Sequence, residues 1–449
     1  MYGLALALAI GFAGCQPDPT SYQQAAQDPQ LVHRTVKQLT DIMVYDIFSP
    51  PVASRIYAYP SVAAYEVMAL ASPGYRSLAG QLTDLDSIPR PSATGAQPCY
   101  PLAALRAYTQ VAHALIFSID KMEAYQAQLV ADYQAMGVSE AVIESSVAYG
   151  DQVAAFILAW ADGDHYKQTR TAPKYTVEAE TAGRWTPTPP DYMDGIEPHW
   201  DEIRPFVIDS ADQFVPEPPP AFNLATDSKF YQDMMKVYET VNQLDEEQTE
   251  IARFWDCNPY VTHHQGHVMF ATKKITPGGH WIGIVKIACQ TADADFMASI
   301  EAYLRTSLSL ADAFIACWDE KYRSNLIRPE TVINQHLDEN WRPVLQTPPF
   351  PEYTSGHSVI SRAAAVTLSD LFGQDFAFVD STEAEFGLTV RSYQSFLEAS
   401  EEAAISRLYG GIHYLPAIEQ GIAQGERVGE FVVRHLITKR RDPATAFQE

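Results

Sequence analysis

Three short runs of this sequence hold residue types that can grip an oxyanion and move a proton beside it. The first contains Lys321 and Arg328, with Pro329 directly after them. If the helical pattern ahead of Lys321 continues, a seven-residue spacing is about two turns and sets both cations on one face. Trp318 falls on that face one turn earlier. The preceding run LADAFIACW is apolar, which argues that this helix end is partly buried, and buried cations need an anion.

The second run is Ser355-Gly356-His357, directly before an apolar helical pattern over 358–372. A hydroxyl at a helix start caps the backbone, and the free N–H groups there favour anions. His357 in the first turn can serve as a general acid or base. The third run holds Arg407 and His413, separated by Gly410-Gly411. Six residues of straight helix would turn these two side chains away from each other. The glycine pair offers a break that could redirect His413. Each run alone has an ordinary reading: a solvated cation pair, a helix cap with an incidental histidine, a packed core histidine. Together they describe one cage for an oxyanion.

The elements that must position these residues are helices. Apolar residues recur at helical spacing over 31–47, 60–71, 101–136, 140–164, 293–327, 358–372, 392–409 and 415–437, and few runs alternate with period two. The expected fold class is mainly α, with two helical bundles packed together. We expect an N-terminal bundle over 31–166 and a catalytic bundle over 229–440. Between them, 167–228 is rich in Pro, Tyr and Trp and reads as a wrapping segment too proline-rich for long helices.

The chain of 449 residues is 47% hydrophobic, enough for a large core. Lys and Arg total 31 against 56 Asp and Glu, a formal charge of −25, which opposes binding to nucleic acid or anionic membranes. Residues 1–15 form an apolar run ending at Gly14-Cys15, so we expect a signal segment with lipid on Cys15, then a polar tether over 16–30. The expected location is the periplasm or cell envelope, with membrane contact only through that lipid. The five cysteines show no C-x-x-C spacing, which disfavours a dithiol site; export would permit up to two disulfides among Cys99, Cys257, Cys289 and Cys317. His263, His264 and His267 lack the glutamate of a helical zinc-hydrolase motif and read as a polar loop near a channel mouth.

In order and spacing, Lys-x6-Arg-Pro, Ser-Gly-His and Ser-Arg-x5-His resemble the signature shared by vanadium-dependent haloperoxidases and type 2 phosphatidic acid phosphatases. The resemblance is densest over 293–436. FWDCNPY from Phe254, TPPFPEYTSGHS around Phe350 and YGGIHY around His413 resemble the bacterial iodoperoxidase branch. It implies a vanadate cofactor in the C-terminal bundle, with His413 binding its vanadium directly through one ring nitrogen. Lys321, Arg328 and Arg407 would pair with its oxygens, helped by Ser355 and the Gly356 N–H. His357 would take a proton from hydrogen peroxide, and Trp318, Phe350 and Tyr260 would line the halide side. The implied reaction is oxidation of halide, iodide first, to hypohalous acid, with the metal as Lewis acid.

Two positions depart from the pattern. Thr354 stands where the family often has proline. Ala417 stands where an aspartate four residues after the metal histidine usually orients it, so that orienting partner is unassigned. The other readings are an acid phosphatase with His413 as nucleophile, and an anion-binding lipoprotein without turnover.

Overall fold

A computed structural model describes residues 22–259, 261–265, 268–271 and 273–440. Helix α1 (Pro29–Asp46) starts at the Asp28 side chain, which accepts from the Gln30 N–H, with proline at the first helical position. Helix α2 (Pro50–Ala71) starts the same way at Ser49 and runs through Pro60, so the pattern over 60–71 is only its second half. The expected run 101–136 is two helices, α3 (Tyr100–Leu115) and α4 (Ile119–Ala135). The Asp46 carboxylate accepts from the backbone N–H groups of Phe117 and Ser118 at 3.0 Å each, which holds the chain turned between them. Helix α5 (Glu140–Ala161) completes this bundle around α2 and α3.

After α6 (Tyr166–Thr169) and a 3-10 turn at Trp200–Glu202, the chain to residue 228 is irregular and straps the core. The buried Asp312 carboxylate accepts from the backbone of Phe206, Val207 and Ile208 at 2.7, 2.8 and 3.0 Å. Trp318 Nε1 and the Tyr322 hydroxyl both donate to the Ile196 carbonyl.

The second bundle has α7 (Lys229–Asn242), α8 (Glu246–Phe254), α9 (Pro277–Thr291), α10 (Phe296–Ser324), α11 (Pro329–His336), α12 (Gly356–Phe372), α13 (Phe396–Tyr409) and α14 (Leu415–His435). Two short antiparallel ribbons, β1 (Thr262–Gln265) with β2 (Val268–Ala271) and β3 (Phe378–Asp380) with β4 (Arg391–Tyr393), are the strands among the described residues. The fold is therefore mainly α, in two packed helical bundles. Helix α10 is buried along nearly all of its 29 residues and touches α2 as well as α12 and α14.

Helix α14 lies against α12 through Gly421, Gly425 and Gly429, spaced four apart on one face. A Cβ on Gly425 would fall 2.1 Å from the Val359 carbonyl oxygen, and one on Gly421 would fall 2.8 Å from Ser358 Cβ. Only glycine permits this approach, and it fixes where α12 begins.

Two expectations change here. From Tyr22 the segment expected as tether is packed: Ala26 is buried and its carbonyl accepts from the Tyr133 hydroxyl at 3.1 Å. Residues 1–21, with Cys15, lie outside the described residues. Cys99, Cys257, Cys289 and Cys317 are all free and buried, so no disulfide joins the described cysteines.

Candidate active site

Lys321 and Arg328 do converge, but not by sharing a helix. Asn325 adopts the left-handed conformation (φ 47, ψ 43) and ends α10 at Ser324. Residues 325–327 then pair with the strap: Trp185 N–H donates to the Asn325 carbonyl and Ile327 N–H to that of Gly183. Arg328 is the extended residue before Pro329, which starts α11. Asparagine at a helix end and proline at a helix start are the local signals for this break.

Lys321 is fully buried, and its Nζ donates to the carbonyls of Pro351, Glu352 and Thr354. Arg328 donates from Nε to the Phe350 carbonyl at 2.9 Å and from Nη1 to that of Ile412, also at 2.9 Å. Its Nη2 is buried with no partner. Burial lowers the Lys321 pKa to about 8 and those of Arg328 and Arg407 to about 10. Phe350 lies under the first two cations, 5.0 Å from Lys321 Nζ and 5.1 Å from the Arg328 guanidinium. Trp318 packs beside Phe350 with ring centroids 5.0 Å apart.

Ser355 caps α12, its hydroxyl accepting from the Ser358 N–H, while its own N–H donates to the Ala417 carbonyl at 3.0 Å. Gly356 opens the helix, where backbone N–H groups lack intrahelical acceptors. A Cβ there would stand 3.8 Å from Trp318 and 3.9 Å from Lys321 Cε, occupying the cradle between them. His357 is hydrogen-bonded to the Trp255 backbone, and its Nε2 is buried without a partner. Burial, with Arg407 next in effect, holds this imidazole well below its ordinary pKa, so it is neutral and can accept a proton.

Arg407 sits in the last turn of α13, held by the Ser406 hydroxyl at 2.9 Å and the Trp255 carbonyl at 2.6 Å. The helix ends at Tyr409, and Gly411 takes φ +77, a conformation strained for other residues. This turn brings His413 back to the cage, with its Nε2 3.2 Å from Arg328 Nη1. The partner absent at Ala417 is Glu352: its Oε1 lies 2.8 Å from His413 Nδ1 and also accepts from the Tyr414 N–H at 2.9 Å. Sequence reasoning misses Glu352, although it stands in the quoted FPEYTSGHS run. Nothing local relates it to His413; the two meet only through the packing of α14 on α12.

Gly356, His357, Arg407, His413, Trp318 and Phe350 line one small cavity of about 40 Å³ that opens toward solvent. Lys321, Arg328 and Ser355 stand immediately behind that wall. Tyr260 lies outside the described residues, as does His267; His263 and His264 sit on β1. Of the carboxylates near the three buried cations, Glu352 is the one hydrogen-bonded to His413, and burial raises it to about 7; Glu320, Glu330 and Asp256 act on Lys321, Arg328 and Arg407 in turn. The unpartnered buried donor at Arg328 Nη2, with Lys321 and Arg407 acting on the same His413 ring, suits a multiply charged oxyanion. The cavity-side Nε2 of His413 suits a metal bond, with Glu352 fixing the ring behind it. These residues fit vanadate.

Beside Arg407 lies a second cluster, which reaches the same cavity through Cys257. His280 is fully buried, with Nε2 2.7 Å from Asp380 and Nδ1 3.1 Å from Glu383 and 3.4 Å from the Cys257 sulfur. It stacks on Trp255, whose carbonyl holds Arg407.

A family model described as the VCPO second helical-bundle domain matches residues 301–441. The chain is similar, at 53% identity and a TM-score of 0.88, to the solved structure of the first bacterial vanadium-dependent iodoperoxidase. That match covers 92% of this chain and 98% of the other. A bacterial vanadium-dependent chloroperoxidase in its holo form shares the fold at 18% identity and a TM-score of 0.63, covering 94% of this chain and 97% of its own. Its apo form matches at 17% identity and 0.61, covering 87% and 95%. No curated protein matches the chain. At 53% identity over nearly the whole length, the chain belongs to the vanadium-dependent haloperoxidases.

Proposed function

We propose that the protein oxidises halide with hydrogen peroxide at vanadate held by Lys321, Arg328, Ser355, Gly356, Arg407 and His413. The observation that carries this reading is that three buried cations, Arg328, Lys321 and Arg407, act on the His413 ring beside His357, with Arg328 Nη1 3.2 Å from His413 Nε2. Bound vanadate supplies Lewis acidity that activates peroxide toward halide. His413 would hold the metal through Nε2, while Glu352 holds Nδ1 and fixes the tautomer. Neutral His357 takes the proton that peroxide loses on entering the site. Arg328 and Arg407, each already held by backbone carbonyls, would donate to vanadate oxygens, and Lys321 would add a point charge. Trp318 and Phe350 give the halide an apolar approach from which water is largely excluded.

Iodide is the proposed halide, supported by the 53% identity to an iodoperoxidase. The test is a halide panel on purified protein with peroxide, with and without vanadate. Vanadate-dependent iodide oxidation is expected, lost together with bound vanadium in His413→Ala. Unchanged iodide oxidation by that variant overturns the assignment. The same protein assayed on a phosphomonoester separates the phosphatase reading, because vanadate would inhibit that activity and activate this one. We further propose that the protein is exported and lipidated at Cys15, on the strength of the apolar run before Gly14-Cys15. Metabolic labelling with a fatty acid, abolished by Cys15→Ala, tests this.

A further inference from the structure

Cys257 is the one described cysteine on the wall of the active cavity, alongside His357, Arg407 and His413. Cys99 and Cys289 lie in the helical core, and Cys317 faces Thr354, 3.7 Å from its hydroxyl. The Cys257 sulfur is not an ordinary packed thiol. Its hydrogen is directed to Glu383 Oε1 at 3.7 Å, and the His280 ring stands 3.4 Å away. Asp380, at 2.7 Å from the opposite ring nitrogen, keeps that imidazole in place. Burial and the Glu383 charge push the thiol up to about 11, so sulfur carries its proton and has an acceptor ready for it.

Resting on the halide-oxidation reading, we propose that Cys257 is a modification site, oxidised to the sulfenic acid by hypohalous acid formed in the same cavity. The thiol sulfur attacks the halogen of HOX: the S–H and HO–X bonds break, an S–X bond forms, and the thiol proton passes by way of Glu383 to the departing hydroxide, giving water. Water then displaces halide from sulfur. The sum is RSH + HOX → RSOH + H⁺ + X⁻. Sulfur loses two electrons and the halogen gains two, and the oxidant is the enzyme's own product. A thiol reductant reverses the change at the sulfenic level. The oxidised sulfur then stands against His280 and the Trp255 loop that holds Arg407 and His357, so product accumulation is registered at the cage itself.

The experiment uses the full-length wild-type protein loaded with vanadate and incubated with peroxide and iodide, iodide oxidation being followed in the same tube. A sulfenic-acid trap and thiol alkylation are then read by peptide mass spectrometry. Trapping is expected at Cys257 in several-fold excess over Cys99, Cys289 and Cys317. It should be absent when either vanadate or iodide is omitted. Iodide turnover with Cys257 still alkylatable, or with all four thiols equally oxidised, overturns this inference while leaving the function standing. Trapping without iodide overturns the assignment of product as the oxidant. Absence of any iodide turnover overturns the functional reading and this inference with it.

Discussion

His413 Nδ1 lies 2.8 Å from Glu352 Oε1, and the same oxygen accepts the backbone N–H of Tyr414, the residue after the histidine. One carboxylate therefore fixes both the imidazole and the turn that carries it. Glu352 precedes the proposed anion site at Ser355-Gly356-His357 by only a few residues, so the segment that supplies the helix N-terminus also aims His413, the proposed metal ligand.

Removing this carboxylate should cost vanadate affinity in particular. Glu352→Ala is expected to weaken vanadate binding about 10–100-fold, as is usual when the partner of a metal-bound histidine is lost. Glu352→Gln keeps an oxygen for Nδ1–H and should fall between the two. Equilibrium titration of the vanadate-free protein measures both; equal affinity in all three forms would remove Glu352 from this role.

His357 should separate binding from turnover. Its ring is held by the Trp255 backbone rather than by a cation, so His357→Ala leaves the three positive side chains in place. We expect vanadate to bind within a few-fold of normal while iodide oxidation falls about 10²–10⁴-fold, the usual size of a lost general base. Loss of vanadium in parallel with activity would show that His357 mainly holds the cofactor.

The cage should lose anions as the solution becomes basic. Lys321 is lowered to about 8 and Glu352 raised to about 7, both chiefly by burial. Below about pH 7 the lysine is charged and the glutamate neutral, and the cage is most positive. Rising through this window adds one negative charge and removes one positive. Each proton linked to binding changes affinity by at most about tenfold per pH unit. Affinity should therefore fall across this range, and Lys321→Arg should remove the upper part of the fall. Calorimetry with vanadate at several pH values reads this out, and a flat profile contradicts the assignment.

The glycine seam is a mechanical support for the site. Gly425→Ala places a methyl group 2.1 Å from the Val359 carbonyl oxygen, so α14 must move away from α12. Overpacking of this kind costs about 1–3 kcal/mol. Thermal denaturation should show that loss, and vanadate affinity should fall too, because Ser358, beside the α12 cap, touches Gly421. The control is Gly373→Ala at the far end of α12, where no atom lies within 4 Å of the added carbon but φ is +107. That change should cost stability without altering the cage.

Much of this was legible in sequence because helical periodicity and helix caps are local. The residues proposed to grip the anion each sit at or beside a helix end, and Pro329, Ser355 and Gly410-Gly411 mark those ends. The shared-face geometry of Lys321 and Arg328 fails because Asn325 stops α10 first and residues 325–327 pair with the strap. Helix α9 escapes the periodicity reading although Thr276 and Pro277 form a sound start, its pattern being apolar nearly all round. Glu352 escapes it because its partner lies 61 positions away and meets it only in the folded chain.

Helix α10 has a wider consequence. Its buried length gives one side to α2 and another to α12 and α14, so each bundle borrows a wall from the same helix. The halves are therefore not exchangeable modules. A fragment beginning near residue 301 would carry every proposed vanadate contact yet bare the apolar flank that α2 normally covers. Grafting this cage onto another scaffold would mean transplanting that neighbour as well, or redesigning the flank for water.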